Sequence, residues 1–447
     1  MAKMEDQYIE LYNSQRDVLS DAPTLLNIYR DKALEYLKEY GLPRYKSEDY
    51  QRTDLAQLFE KDWGINIGRL AFPVKNIKGF QCNLPGCEHF FCVVNDTYQA
   101  ELSSPGRLPF GVFVGSLYTF AQAMPEVAEK YYARIAKPDH DGIVALNTMF
   151  AQDGLVVYVP KDCTIEHPIQ LVQLLRSDVE LLAVRRLLII MEDNSSASLL
   201  ICNHTLDSIP LASVEVVEIF AGKGCRFEMT DLEESSVSSK RVTSTHLLQQ
   251  EKSNIVINGM TMNNGFTRNN YYCKLEGEYA DLTLGGMAIG TGSQHIDNYS
   301  RIEHNKPNCH TNELFKYVLS DDSYGVFSGR ILVAQDAQKT EAYQNNRNLL
   351  LSDKAKMQSK PQLEIYADDV KCSHGMTTGQ LDEDALFYLR SRGIPADEAK
   401  MMLSVAFMED VVQLVEPEVL QDRLREIIDS RFRGDQSKHC SDCGSCS

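Results

Sequence analysis

The chain has 447 residues and carries 45 Lys and Arg against 63 Asp and Glu, a net charge of −18. That balance argues against a nucleic-acid binder, whose footprint is a basic patch, and against attraction to an anionic membrane surface. With 43% hydrophobic and 24% charged residues, the composition suits a globular protein long enough for two or three domains.

The first residues, MAKMEDQYIELYNSQRD, have no apolar run behind the lysine, so no secretory signal is read there. No stretch approaches the roughly 18 apolar residues of a membrane span, and a cytoplasmic location is expected. The twelve cysteines are then expected as thiols or metal ligands instead of disulfides. Residues 1–140 read as a helical, then α+β, N-terminal domain. Leu25, Leu26, Ile28, Ala33, Leu34 and Leu37 fall at helical spacing, and Gly41 with Pro43 stops that helix. Beyond it, short strand runs (Phe90 to Val94) mix with helical ones (Val114 to Tyr132).

Across residues 141–375 the pattern changes to period-2 alternation, as in Cys225-Arg226-Phe227-Glu228-Met229-Thr230. Strand starts near Ala197, Cys225, Asn254, Ala280, Cys309, Ala337 and Leu363 recur every 26–29 residues. A second series near Val214, Arg241, Arg268, His295, Ser323 and Arg347 recurs at 24–28. Two interleaved series at one spacing imply two strands per repeat, hence a solenoid. A β-propeller would repeat every ~40–45 residues with four strands per blade, which does not fit. A parallel β-helix of two sheets is predicted, with turn clusters such as Asp193-Asn194-Ser195-Ser196 and Gly222-Lys223-Gly224 at its corners. Gly285-Gly286 and Gly290-Thr291-Gly292 lack the strand–helix context of a dinucleotide site and also read as corners. Cys202, Cys225 and Cys273 fall in strands and read as small core hydrophobes. The terminal segments read as caps for the two open ends of such a rod.

Residues 376–433 read as a C-terminal helical domain. One helix spans Asp382 to Ser391 and ends at Gly393, a second opens at Pro395 and runs through Val415, and a third opens at Pro417. The second has a methionine-rich face (Met401, Met402, Val405, Ala406, Met408, Val412), suited to an adaptable partner surface as well as to a core. A Cys-rich tail, 434–447, closes the chain. His439, Cys440, Cys443 and Cys446 have Cys-x-x-Cys-x-x-Cys spacing with an adjacent imidazole and are candidate metal ligands.

One stretch resembles a known family. Ser328-Gly329-Arg330-Ile331-Leu332-Val333 is followed by Ala337-Gln338-Lys339-Thr340, Gln344-Asn345-Asn346-Arg347-Asn348-Leu349-Leu350-Leu351-Ser352, Pro361-Gln362-Leu363-Glu364-Ile365, Asp368-Asp369-Val370 and Cys372-Ser373-His374-Gly375. This series is similar to the SufB/SufD family of iron–sulfur cluster assembly proteins, and the Val-Lys-Cys-Ser-His-Gly ending resembles its SufD type. Gly41-Leu42-Pro43 with Thr53-Asp54-Leu55 resembles the family's N-terminal motif, although Tyr50 stands where a tryptophan is usual. The resemblance implies a right-handed parallel β-helix flanked by helical domains. It implies a non-catalytic scaffold subunit that pairs with a SufB-type subunit along the rod and carries a SufC-type ATPase on its C-terminal helices. A homodimer is a further expectation for the isolated chain. It also implies that a nascent iron–sulfur cluster or its iron is shared across the subunit interface, with no group tightly bound by the isolated chain.

Cys372 and His374 are two apart, so a strand would point both the same way. Thiolate and imidazole are competent iron ligands, but two do not complete a tetrahedral site, and a partner must supply the rest. The resemblance makes His374 the sharper candidate of the pair. No phosphate-binding Gly-x-x-x-x-Gly-Lys-Ser/Thr, His-Glu-x-x-His or Gly-x-Ser-x-Gly motif occurs. The rival readings are a SufB-like core scaffold and a β-helix carbohydrate-active enzyme. Against the latter, Asp321-Asp322 and Asp368-Asp369 are adjacent pairs that alternation sends to opposite faces.

Overall fold

Alternating apolar residues between Gly154 and Gly379 fold, in the computed structural model, into a parallel β-solenoid of eight coils, each contributing one strand to either of two sheets. The structure describes residues 3–45, 47–74, 77–80 and 88–434. Among these, the sheets have ten and nine strands, and between Gly154 and Gly379 strands that neighbour in a sheet are two apart in sequence. Apart from one irregularity at Thr261/Asn263, the register between coils runs without a slip. The inward phase forms one continuous core from Phe91 through Leu187, Phe227, Leu284, Phe315, Phe327 and Ile331 to Ala367.

The two predicted series match the strands through most of the rod. Observed starts in the ten-stranded sheet are Ser196, Arg226, Asn254, Asp281 and His310, each within one residue of expectation. In the final coils the two series exchange sheets. Arg347 lies in the strand Glu341–Leu350 of the ten-stranded sheet, and Leu363 in Lys356–Ile365 of the nine-stranded sheet. Longer corners cause the exchange, since the last nine-stranded interval, Tyr324 to Lys356, is 356 − 324 = 32 residues. Cys202, Cys225 and Cys273 are buried as expected.

Gly285, Gly286 and Gly290 are not corners. They lie within the strand Asp281–Gly290, where a Cβ on Gly286 would sit 2.2 Å from the Phe315 ring and one on Gly285 2.6 Å from Leu414 Cδ1. Close packing is what requires glycine there.

The N-terminal segment closes one end of the rod with the antiparallel strands Thr97–Tyr98 and Phe113–Ser116, and both terminal segments fold back along its sides. The outward phase is itself apolar, and an uncovered apolar sheet face would leave about 1.5–3 kcal/mol per large side chain unrealised. Leu182, Val184, Ala212, Val214, Val242 and Phe266 on the nine-stranded sheet pack against the N-terminal helices and the helix Gly142–Phe150. Leu200, Leu232, Met260, Met287, Ile289 and Val318 on the ten-stranded sheet pack against the C-terminal helices Ala396–Val412 and Glu418–Phe432. Glu218 fastens the N-terminal layer, accepting the backbone N–H groups of Ala133, Ile135 and Ala136 at 3.0–3.2 Å while pairing with buried Arg186 at 2.5 Å.

Several N-terminal elements are shorter than predicted. The helix across Leu25–Leu37 is two, Thr24–Ile28 and Arg30–Tyr40, joined at Tyr29, and it leaves Ile28 exposed. Gly41 ends the second with φ +72°, as read. Val114 to Tyr132 is the end of a strand, Phe113–Ser116, followed by helices Leu117–Ala123 and Pro125–Tyr131. No helix among the described residues is long and apolar enough to cross a membrane.

Candidate functional site

The two ends of the rod differ. At the N-terminal end the ten-stranded sheet continues through His89–Val94, every residue of which is buried, and closes with the antiparallel strand Thr97–Tyr98. At the C-terminal end the last strands, Lys356–Ile365 and Lys371–Gly379, contain no buried residue. Each pairs with a single neighbour in its sheet, so its outer edge offers backbone donors and acceptors. Pro361 removes one donor from that edge. Ile365, Tyr366 and Met376 leave apolar surface there, with Tyr366 62% exposed.

Cys372 and His374 lie on this last coil. Cys372 is in register with Ala342 and His374 with Gln344, so both belong to the inward phase of the strand, as alternation predicts. Their environments differ. Cys372 is half-buried against the rod core, and burial pushes its thiol above the ordinary value. It is a neutral thiol near pH 7 and must lose its proton to bind a metal. His374 is exposed at the open end and faces no such desolvation cost. Two donors form half a coordination shell, and among the described residues no group of three or more His, Cys, Asp and Glu is placed to hold a metal ion. The tail candidates His439, Cys440, Cys443 and Cys446 lie outside the described residues.

Beneath His374 is a column of polar residues. Gln344 and, one coil further in, Glu313 share its register position, and both are 0% exposed. Gln344 Nε2 donates to Glu313 Oε2 at 2.6 Å. Asn346 and Asn348 extend the amide lining, Asn348 Nδ2 donating to Asn346 Oδ1 at 2.7 Å. The sequence reading assigned these residues no role. The available signal was amides at positions 344, 346 and 348 on the phase that elsewhere carries core hydrophobes.

The C-terminal helices present a second surface. Met401, Met408 and Val412 are buried, whereas Met402 is exposed, so the methionine-rich helix serves both as core and as surface. The helix Glu383–Ser391 buries none of its residues and displays Phe387 and Tyr388, 74% and 57% exposed. The hairpin is pinned to the rod by Lys316, whose Nζ donates to Phe407 O at 2.6 Å and to Asp410, and by Arg431, whose Nε donates to Met262 O at 2.8 Å.

The family profile described as "SUF system FeS cluster assembly, SufBD core domain" matches residues 174–407, and "SufBD protein N-terminal region" matches residues 2–171. An iron–sulfur cluster assembly SufBD family protein of Synechocystis sp. is 30% identical over 437 residues, 95% of both chains. The iron–sulfur cluster assembly protein SufD of Escherichia coli is 34% identical over 248 residues, 52% of this chain and 59% of its own. SufD of Bacillus subtilis is 28% identical over 348 residues, 76% of this chain and 79% of its own. On this evidence, the chain belongs to the SufBD family of iron–sulfur cluster assembly proteins.

Proposed function

We propose that the chain is the SufD-type, non-catalytic scaffold subunit of a SufB–SufC–SufD-type complex in the cytoplasm, and that it aids iron acquisition for a nascent cluster at the interface with a SufB-type subunit. The observation that carries this reading is the position of an exposed imidazole and a half-buried thiol on the inward face of a last coil with open edges. An open sheet edge is completed by a second chain, and a half-complete ligand set is completed by the same chain. The arriving cluster or its iron is cargo. His374 offers a lone pair with little desolvation cost, while Cys372 joins once its proton is lost. The apolar side chains of Phe387, Tyr388 and Met402 support docking of a SufC-type ATPase on the C-terminal helices.

The test is His374→Ala in the complex co-assembled with SufB-type and SufC-type subunits, read by iron and sulfide content and the visible absorption of the cluster. Loss of cluster with subunit stoichiometry intact is expected. A normal cluster yield would overturn the role of His374.

A further inference from the structure

Gln344 combines features that hydrogen bonding within this chain does not account for. It is fully buried directly beneath His374, in register with it across the strand pair and on the same inward face. Its amide is oriented from below, Nε2 donating to Glu313 Oε2 at 2.6 Å, and the ionised Glu313, an acceptor only, enforces that orientation. It is also hemmed in from the facing sheet, where a Cβ on Gly329 would lie 2.3 Å from Nε2. The amide therefore turns its Oε1 away from Glu313, and that oxygen, buried, has no hydrogen-bond partner. A buried acceptor without a donor is costly unless something fills it. The next residue up the column is His374, one strand spacing away at ~4.8 Å and exposed at the open end.

We infer that Gln344 is a positioning residue for His374, its Oε1 accepting the N–H of one imidazole nitrogen and leaving the lone pair of the other directed at incoming iron. This rests on the reading of His374 as a ligand. A metal-binding imidazole commonly donates its second N–H to a fixed acceptor, which sets the tautomer and ring orientation. Glu313 completes the device by keeping the amide from flipping.

The test uses the full chain labelled with 15N-histidine, with the His374 signals assigned by their loss in His374→Ala. One protonated and one unprotonated imidazole nitrogen are expected in the parent. In Gln344→Met, which keeps length but replaces the amide oxygen with a weakly accepting thioether, the averaged pair of a free imidazole is expected. Averaged signals in the parent, or an unchanged pattern in Gln344→Met, overturn the positioning role. In the co-assembled complex, Gln344→Met should lower cluster formation about 10-fold. The exchanged pair Glu313→Gln with Gln344→Glu, which keeps a donor below and an acceptor above, should restore both readouts; failure to restore them counts against the inference. A Gln344→Met complex with full cluster yield removes the inference alone, whereas full yield in His374→Ala removes the ligand reading with it.

Discussion

Glu313 is a carboxyl group inside the rod, 0% exposed, and burial pushes it up to about 7 against an ordinary 4.5, with Ser300 and Gln344 opposing only part of the shift. The sign follows from the raised value. Below about pH 4.5 the group is protonated in both folded and unfolded chains and costs nothing. Between about 4.5 and 7 the unfolded chain releases its proton first, and stability falls by up to about 3 kcal/mol before levelling off. Glu313→Gln should remove that contribution, so denaturant midpoints of parent and variant should diverge across this window; parallel profiles would refute the assignment. Which residues share a face was legible in the sequence, because period 2 places Cys372 with His374 whatever the surroundings. Their place on the last coil was legible too, since the alternation ends at residue 375, but that Cys372 is half-buried and His374 exposed was not. The polar column was half-legible. Amides at 344, 346 and 348 could be placed on the inward phase, but their partner Glu313 lies 31 residues earlier, 344 − 313, and pairs only once the register is known.

The strands are carried by their own alternation, and the corners by backbone geometry that the sequence only partly announces. Asn194, Gly224, Lys252, Tyr279, Asn308 and Lys339 each stand two residues before a strand of the ten-stranded sheet with φ between +55° and +63°. Asn and Gly favour that left-handed region. Lys252, Tyr279 and Lys339 do not, and are held there by stacking between coils, as when Lys252 N donates to Glu278 O at 2.9 Å. The placement of the terminal helices along the sides was also beyond periodicity, because a buried strand and a strand covered by a helix both read as apolar. The C-terminal hairpin is tied to the rod through Lys316, through Arg431 and through Arg226 and Glu228 at Glu416, so Lys316→Met removes one of several anchors and should cost about 2 kcal/mol, the scale of hydrogen bonds to a charged group. It should raise amide hydrogen exchange across residues 396–412 while leaving the strands protected. Unchanged exchange in that helix would show that the apolar contacts alone hold it.

At the scale of the whole molecule, the rod is finished at one end and unfinished at the other. The isolated chain is therefore expected to self-associate through the open coil. Ile365→Lys with Tyr366→Glu, which places charges on exposed apolar positions, should weaken that association about tenfold, or ~1.4 kcal/mol, as measured by sedimentation; an unchanged association constant would locate the contact elsewhere. The anchor of the helical hairpin also has a mechanical reading. Lys316 lies on His310–Leu319, and His374 on Lys371–Gly379, two strands further along the same sheet. Along the rod axis the two strands are thus two rungs of ~4.8 Å apart, and Lys316 stands in the column of Arg347 and Thr377, three residues beyond His374 along the last strand. The intervening strand is hydrogen-bonded on both sides. A pull on the hairpin by a docked partner reaches the mouth through a short, stiff ladder, and losing or gaining one coil would move the grip by one rung without turning any side chain from inside to outside.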